Sequence, residues 1–317
     1  MEQEEKLVSV IVPFFNEEAT IPTFIQSLEH AIQVIRKDTQ MSFEVVAVDD
    51  GSSDPSLKLL KQMREKYKNI RIISLSRNFG LQMAIQAGME HANGDYLIVM
   101  DGDMQDPPEM ISSMIAGILK GDADILVGRR KSRKEAWPKK FLFKLYHRLV
   151  EPRLPGVSPI DAGNFCIFPA QVRDAILSAG EVQRYFPGLR SWVGFRVDYF
   201  DYDRQKRVAG VPGMSYRRLL LLAGDSVILF SKWPIRICFI IGLAGLAIFF
   251  LAAIYTLLSK FLGLAPFGWS STFLAINFFG SLQLLFMGVL GEYIYKIFKE
   301  VQQRPKYILR EFYDKMQ

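Results

Sequence analysis

Short apolar runs recur along the first 130 residues, and each is followed by a polar loop and then by a stretch with helical periodicity. The runs are residues 8–13, 43–48, 70–75, 96–100 and 123–127. They do not alternate between apolar and polar positions, which is typical of strands covered on both faces of a parallel sheet. Strands that alternate with helices at this spacing predict an α/β fold, a Rossmann-like domain with a mostly parallel, doubly wound sheet.

Two longer apolar stretches follow in the last third of the chain, residues 235–258 and 273–295. Each is long enough to span a bilayer, because about 20 helical residues cover roughly 30 Å of hydrocarbon. The link between them carries a single Lys260, whereas several Lys and Arg residues flank their outer ends. By the positive-inside rule, we expect two transmembrane helices in the plasma (inner) membrane, with the α/β domain and both termini in the cytoplasm.

Two further segments have an amphipathic pattern. Residues 129–150 interleave Lys and Arg with aromatic and aliphatic residues, and residues 215–232 form an apolar segment that is too short to span and is interrupted by Asp225. Such segments commonly lie at a membrane surface or bind a phosphorylated ligand, although a solvated helix face fits the first one equally well. The expected organisation is a domain over 1–214, an interfacial helix over 215–232, two spans over 233–298 and a basic cytoplasmic tail over 299–317.

Composition narrows the classes of function. Half of the 317 residues are apolar, the formal net charge is +6, and there are only two cysteines, so we expect no disulfide framework and no zinc site. The acidic N-terminus lacks the apolar core of a signal peptide. Because the basic excess is modest and the apolar stretches already indicate a membrane, we expect no nucleic-acid partner.

The candidate chemistry lies in the polar loops after the predicted strands. In open α/β sheets these loops gather at one edge, where ligands bind. Asp101 and Asp103 follow the fourth strand and are separated by Gly102, so their carboxylates can share one hard divalent cation with phosphate oxygens and water. Asp106 and Pro107 predict the start of the next helix, as N-cap and first helical residue. The pattern indicates a nucleotide-diphosphate metal site, although Asp and Gly are also ordinary turn residues.

Four motifs in this order give the chain a family resemblance. They are residues 10–17 (Val-Ile-Val-Pro-Phe-Phe-Asn-Glu), 48–54 (Val-Asp-Asp-Gly-Ser-Ser-Asp), 77–80 (Arg-Asn-Phe-Gly) and 101–108 (Asp-Gly-Asp-Met-Gln-Asp-Pro-Pro). Together they resemble the inverting family 2 glycosyltransferases with the GT-A fold. More narrowly, they are similar to the polyprenyl-phosphate glycosyltransferases, which include dolichyl-phosphate mannose synthases and bacterial undecaprenyl-phosphate glucosyltransferases of the GtrB type.

The resemblance implies roles on the donor side. It assigns the metal, Mg²⁺ or Mn²⁺, to Asp101 and Asp103, and makes Asp103 a catalytic residue. It assigns the nucleotide-binding pocket to Pro13, Asn16, Glu17, Asp49, Asp50, Arg77, Asn78 and Asp101.

The resemblance also implies an acceptor side. Residues 161–165 (Asp-Ala-Gly-Asn-Phe) match a family motif in which a second acid stands where this chain has Asn164, so Asp161 is left as the candidate catalytic carboxylate. The candidate ligands of the acceptor phosphate are Arg129, Arg130, Arg207, Ser215 and Tyr216.

The implied activity is transfer of a sugar from a nucleotide sugar to a polyprenyl phosphate lipid, and we expect glucose from UDP-glucose and undecaprenyl phosphate. The alternatives are a dolichyl- or polyprenyl-phosphate mannose synthase that uses GDP-mannose, a polysaccharide synthase, a non-catalytic membrane scaffold and a transporter. A polysaccharide synthase needs more spans and a Gln-x-x-Arg-Trp motif, which this sequence lacks. Polar residues within the second apolar stretch favour a homo-oligomer, with a tetramer among its forms.

Overall fold

The computed structural model describes residues 5–130, 162–179, 185–203 and 269–314, together with part of 240–258. The chain divides into two compact units. One combines Met1–Glu151, Pro155–Pro212 and Arg304–Gln317, and the other combines Pro152–Leu154 and Gly213–Gln303. The first unit therefore contains the start of the chain and its last residues.

Eight strands and six helices of the first unit, and one long helix of the second, can be assigned among the described residues. The strands are β1 Lys6–Phe14, β2 Met41–Asp49, β3 Ile70–Leu75, β4 Tyr96–Val99, β5 Ile125–Arg130, β6 Ala162–Pro169, β7 Val197–Tyr202 and β8 Leu309–Tyr313. The helices are α1 Ile21–Asp38, α2 Ser56–Lys66, α3 Leu81–His91, α4 Met110–Leu119, α5 Ala170–Ser178, α6 Phe186–Trp192 and the long α7 Trp269–Val301.

The strands form one sheet in the order β7-β5-β6-β4-β1-β2-β3-β8. Strand β1 pairs in parallel with both β2 and β4, β2 pairs in parallel with β3, and β5 with β7. Only β6 and β8 run antiparallel to their neighbours. This sheet confirms the predicted α/β fold. The chain leaves β1 toward β2 on one side and reaches β4 on the other, so the point between β1 and β4 is a switch point where ligands bind in such folds.

Both faces of the sheet are covered by apolar layers. Val10 belongs to one buried cluster, with Phe24 and Leu28 of α1, whereas its neighbour Ile11 belongs to the other, with Ile85 of α3. Adjacent residues of a strand point to opposite faces, so an uninterrupted apolar run is needed to fill both layers. This explains why the predicted strands lack alternation.

Helix α4 begins later than the sequence predicts. Its first residue is Met110 and its N-cap is Glu109, without a side-chain cap hydrogen bond. The prediction that Asp106 is the N-cap and Pro107 the first helical residue is therefore wrong. The carboxylate of Asp106 instead accepts hydrogen bonds from residues outside this helix, as described below.

The end of the chain belongs to the sheet. Leu309–Tyr313, within the segment expected to be a basic tail, pairs antiparallel with β3, with Phe312 opposite Ile73. Lys61 of α2 holds this strand through an ion pair with Glu311 at 2.8 Å. The outer edge of β3 is thus hydrogen-bonded to residues 309–313 and is not left as an unpaired strand edge.

Helix α7 contains a membrane-length apolar segment. Phe278–Phe298 is long and apolar enough to cross a bilayer, by length and composition, and overlaps the second predicted span. Of the first predicted span, the structure describes helical residues between 240 and 258 with gaps. The expected interfacial segments, 215–232 and most of 129–150, lie outside the described residues.

Candidate functional site

The candidate site lies at the carboxyl ends of β1 to β4, where the loops that follow β1, β2 and β3 are hydrogen-bonded to one another. The β1–α1 loop contacts the β2–α2 loop through Asn16, whose Oδ1 accepts a hydrogen bond from the backbone N of Ser53 at 2.9 Å. The backbone N of Asn16 donates to Ser52 Oγ at 3.1 Å, and that of Glu17 donates to Ser56 Oγ at 2.9 Å. Asn16 adopts a left-handed conformation with φ 54°, in which Asn is better tolerated than most residues.

Asp49 joins the second loop to the third strand. Its buried carboxylate accepts hydrogen bonds from Ser52 N at 3.1 Å through Oδ1 and from Ser74 Oγ at 2.9 Å through Oδ2. Asp49 therefore has a structural task that the sequence did not reveal. Its predicted role toward the nucleoside stays a prediction.

Asp50 holds the β3–α3 loop. Its Oδ1 accepts a hydrogen bond from Phe79 N at 2.8 Å and its Oδ2 accepts one from Gly80 N at 2.9 Å. Burial raises the pKa of Asp50, and the two N–H donors partly oppose this effect. The carboxylate thus fixes the loop that carries the predicted pocket residues Arg77 and Asn78.

The second and third loops also touch backbone to backbone at Gly51. Gly51 has φ +65°, and a Cβ there would lie 2.3 Å from the carbonyl carbon of Arg77. Only glycine satisfies both the conformation and the contact. The guanidinium of Arg77 lies over the ring of Phe79, with its Cζ 4.3 Å from the ring centroid.

The β4–α4 loop, residues 101–109, brings the two candidate metal ligands to the switch point. Asp101 is partly exposed, whereas Asp103 is buried and its Oδ1 accepts a hydrogen bond from Gln105 N at 3.1 Å. Met104 adopts a left-handed conformation with φ 62°. A Cβ on Gly102 would lie 2.4 Å from the ring of Phe14 at the end of β1. The loop is therefore packed closely against β1 and contains local backbone strain.

The residues of this loop fit a metal ion that is bound together with a diphosphate. Two carboxylates on one short loop supply hard oxygen ligands of the kind that Mg²⁺ and Mn²⁺ prefer. Among the residues that the structure describes, no group of three or more His, Cys, Asp or Glu is arranged to hold a metal ion. The remaining ligands would have to be diphosphate oxygens and water, which is how Mg²⁺ is commonly bound beside substrate phosphates.

On the predicted acceptor side, β6 lies close to the same loop. The amide Nδ2 of Asn164 is 3.5 Å from Oδ1 of Asp101, so the residue that departs from the family motif contacts the candidate metal loop. The neighbouring carbonyl of Gly163 accepts a hydrogen bond at 3.1 Å from Arg190, which is fully buried. The sequence signal for Asn164 was its motif position, and Arg190 had none.

The other predicted acceptor residues are only partly covered by the structure. Arg129 lies at the end of β5 and donates through Nε to Asp201 of β7 at 2.6 Å, so part of its guanidinium already has a carboxylate partner. Arg130 ends β5. Four predicted residues lie outside the described residues: Asp161, Arg207, Ser215 and Tyr216.

Comparison with known proteins gives consistent matches over most of the chain. Residues 9–177 match the family described as Glycosyl transferase family 2. The chain is 32% identical to an uncharacterized glycosyltransferase of Synechocystis sp., over 96% of this chain and 95% of the relative. It is also 32% identical to a prophage-derived bactoprenol glucosyl transferase of Shigella flexneri, over 96% of this chain and 97% of the relative.

Among solved structures, the fold is similar to that of glucosyl-3-phosphoglycerate synthase from Mycobacterium tuberculosis. The TM-score is 0.50 at 16% identity, over 70% of this chain and 79% of that one. At this identity the similarity concerns the fold alone.

Proposed function

Because this chain belongs to glycosyl transferase family 2 and is a glycosyltransferase, we propose that it moves glucose from UDP-glucose to a polyprenyl phosphate lipid, with undecaprenyl phosphate as the favoured acceptor. The observation that carries the proposal is the length of the similarity. A relative named bactoprenol glucosyl transferase aligns with 96% of this chain, so the similarity extends past the family match at residues 9–177 into the region of α7. A lipid acceptor would explain why a sugar-transferring domain is joined to a membrane-length helix.

In the proposed reaction, an oxygen of the lipid phosphate attacks C1 of the sugar from the face opposite the diphosphate. The bond between C1 and the diphosphate oxygen breaks, UDP leaves with the electron pair, and the configuration at C1 is inverted. Asp101 and Asp103 would hold a divalent cation against the diphosphate, and when bound this cation would neutralise the charge that develops on the leaving group. The loops after β1, β2 and β3 would enclose the nucleotide.

The nucleophile needs little help from a base. A phosphate monoester has a second pKa of about 6, so near neutral pH it is mostly a dianion. General-base catalysis contributes only when a proton must move in the transition state. We therefore assign Asp161 the task of orienting the acceptor pocket, for example by fixing Arg207, rather than that of a general base. Arg129, Arg130, Ser215 and Tyr216 remain the candidates for contact with the acceptor phosphate.

The sheet supports two membrane spans by a counting argument. β7 and β8 belong to one sheet, and one sheet cannot lie on both sides of a membrane. The chain between Tyr202 and Leu309 must then cross the bilayer an even number of times. If Phe278–Phe298 supplies one crossing, a second must lie between β7 and α7, and residues 235–258 are the apolar stretch available for it.

An assay of lipid-linked product tests the proposal. The full-length protein in bilayer nanodiscs is incubated with radiolabelled UDP-glucose or GDP-mannose, and with undecaprenyl or dolichyl phosphate, and the organic phase is counted. We expect label from UDP-glucose with undecaprenyl phosphate, loss of transfer in excess chelator and recovery with Mg²⁺ or Mn²⁺.

Two variants sharpen this assay. Asp103→Asn should lower kcat by roughly 100-fold, because it weakens stabilisation of the leaving group. Asp174→Asn, on α5 and paired with Arg173, serves as the matched control and should retain activity. Transfer only from GDP-mannose would contradict the assigned donor, and undiminished transfer in chelator would contradict the metal site.

A further inference from the structure

Asp106 is a buried carboxylate that links the β4–α4 loop to β7, the strand at the end of the sheet. It is 1% exposed. Its Oδ2 accepts a hydrogen bond from the backbone N of Asp101 at 3.3 Å, and its Oδ1 accepts one from the hydroxyl of Tyr202 at 2.6 Å. One carboxylate therefore connects the first candidate metal ligand with the last residue of β7.

This use of Asp106 differs from the local signal in its sequence. An Asp followed by Pro-Pro-Glu is typical of a helix start, yet α4 begins at Met110 and receives no cap from Asp106. Burying a carboxylate is costly unless its oxygens are hydrogen-bonded. The cost is offset here by donors that come from the candidate metal loop and from β7, so the group fixes the loop rather than the helix.

Tyr202 is held rigidly enough to act as a fixed donor. It is 3% exposed, and its ring packs edge-on against Phe165 of β6, with centroids 5.4 Å apart. A Cβ on Gly128 of β5 would lie 2.9 Å from the ring, so the ring fills the space that this glycine leaves. The position of the hydroxyl is thus set by β5 and β6.

We propose that Asp106 and Tyr202 are positioning residues that hold the carboxylates of Asp101 and Asp103 in the geometry needed to bind a divalent cation with a nucleoside diphosphate. The inference rests on the proposed function for the metal site. The backbone of Asp101 is fixed from behind by Asp106, which in turn is fixed by Tyr202. Met104 in this loop has a left-handed conformation, which a non-glycine residue keeps only where its surroundings impose it. We therefore expect the loop to relax when this support is removed.

Tyr202 also has a place in the chain that gives this contact a second consequence. It directly precedes the segment with Arg207, Ser215 and Tyr216, which are candidates for the acceptor phosphate. Only a change at the end of β7 that displaced Tyr202 from its packing against β5 and β6 would therefore alter the support of the metal loop. Residues that orient metal ligands typically alter metal affinity by about 10- to 100-fold when mutated.

The test measures binding and does not depend on turnover. Binding of Mn²⁺ to the full-length protein in detergent, with UDP present, is followed by the electron paramagnetic resonance signal of free Mn²⁺. Tyr202→Phe keeps the ring and removes only the hydroxyl, and we expect it to raise the Kd for Mn²⁺ by about 10-fold or more. Asp106→Asn should have a similar effect, and the double variant should be no worse than the more affected single variant, because both changes break the same link.

Tyr307→Phe is the matched control, because the hydroxyl of Tyr307 donates to Glu90 at the opposite end of α3 from the β3–α3 loop. It should leave the Kd for Mn²⁺ unchanged. If Tyr202→Phe lowers the melting temperature as Tyr307→Phe does but leaves the Kd unchanged, Tyr202 is only a structural residue and the inference is wrong. If the wild-type protein binds no Mn²⁺ with UDP, the proposed metal site itself fails, and the positioning role fails with it.

Discussion

The guanidinium of Arg71 on β3 forms an ion pair with the carboxylate of Asp314, whose Oδ1 lies 2.7 Å from Arg71 Nε. The contact is electrostatic and lacks the geometry of a hydrogen bond. The other side of the same guanidinium contacts the buried Glu44, with Nη1 3.2 Å from Oε2, and donates to the carbonyl of His91 at 2.6 Å. Arg71 therefore ties Asp314, which follows β8, to β2 and to the end of α3.

The two partners of Arg71 should contribute very differently to stability. Asp314 is 64% exposed, so Asp314→Asn should cost less than about 1 kcal/mol. Arg71→Met removes a cation from beside Glu44, which is fully buried, and should cost about 3 to 5 kcal/mol. Thermal melting of the full-length protein in detergent compares the two variants.

Arg173→Met provides the control for this pair of variants. Arg173 also donates to a backbone carbonyl, that of Ala92, but its carboxylate partner Asp174 is exposed. The loss of stability in Arg173→Met should be close to that in Asp314→Asn and smaller than that in Arg71→Met. Equal losses from Arg71→Met and Arg173→Met would contradict the importance of the buried Glu44.

His91 should make the same region sensitive to acid. Burial lowers the pKa of His91 below 6.5, with a further decrease from Arg71 and opposing increases from Glu90 and Asp314. The unfolded chain then takes up a proton at a higher pH than the folded chain does. The contribution of neutral His91 to stability is therefore fully present above about pH 6.5, and it is lost as the pH falls from there through the pKa of His91 in the folded protein.

The measurement is the melting temperature between pH 5 and pH 7. His91→Gln should reduce the slope of melting temperature against pH, and the difference from wild type should grow only below pH 6.5. His30→Gln, on the exposed face of α1, controls for the loss of a histidine. Parallel curves for wild type and His91→Gln would show that His91 does not contribute to acid sensitivity.

The parts of the fold that follow from local pattern were predicted from the sequence, and so was the family. The strands β1 to β5 were predicted because both faces of each are buried, which leaves apolar residues at successive positions. The Asp-Gly-Asp loop was predicted at the carboxyl edge of the sheet, because parallel strands place such loops at one edge, whereas its position at the switch point follows from the observed strand order. The resemblance to family 2 glycosyltransferases is confirmed by the match at residues 9–177.

The parts of the fold and of the site that were not predicted depend on contacts between residues distant in the sequence. Nothing in residues 309–313 indicates that they pair with β3, because that pairing joins two segments that are far apart in the sequence. Asp106 carries a strong local capping signal, but a tertiary contact with Tyr202 determines its position. Asp50 offers no sequence sign that its carboxylate binds two backbone N–H groups of another loop. Local propensity is overridden at such sites.

The contact between the second and third loops can be tested with two glycines. Gly51 and Gly121 both have positive φ, +65° and +78°, but only Gly51 would place a Cβ against another backbone. Gly121→Ala should cost about 1 to 2 kcal/mol from conformation alone. Gly51→Ala should cost about 1 to 3 kcal/mol more, and should also weaken UDP binding, because Arg77 and the β3–α3 loop must move.

Calorimetric titration with UDP and Mn²⁺, together with thermal melting, separates these effects. UDP affinity is compared between the two variants at equal loss of stability. A lower affinity in one of them then does not merely reflect unfolded protein. Unchanged UDP affinity in Gly51→Ala would indicate that the β3–α3 loop takes no part in nucleotide binding. Reduced affinity in Gly121→Ala would show that the two glycines are not a valid pair.

The shared sheet makes a strict prediction about membrane topology. Reporter fusions before residue 1 and after residue 317 should both score cytoplasmic, and a reporter inserted at residue 263 should score on the other side. Because β8 is hydrogen-bonded to β3, the residues after α7 must be on the same side of the membrane as the rest of the sheet. The positive-inside rule makes that side the cytoplasm. A fusion after residue 203 should also score cytoplasmic, as the control within the first unit. If the two termini were found on opposite sides, the number of crossings would be odd, and β8 could not pair with β3 of the same chain.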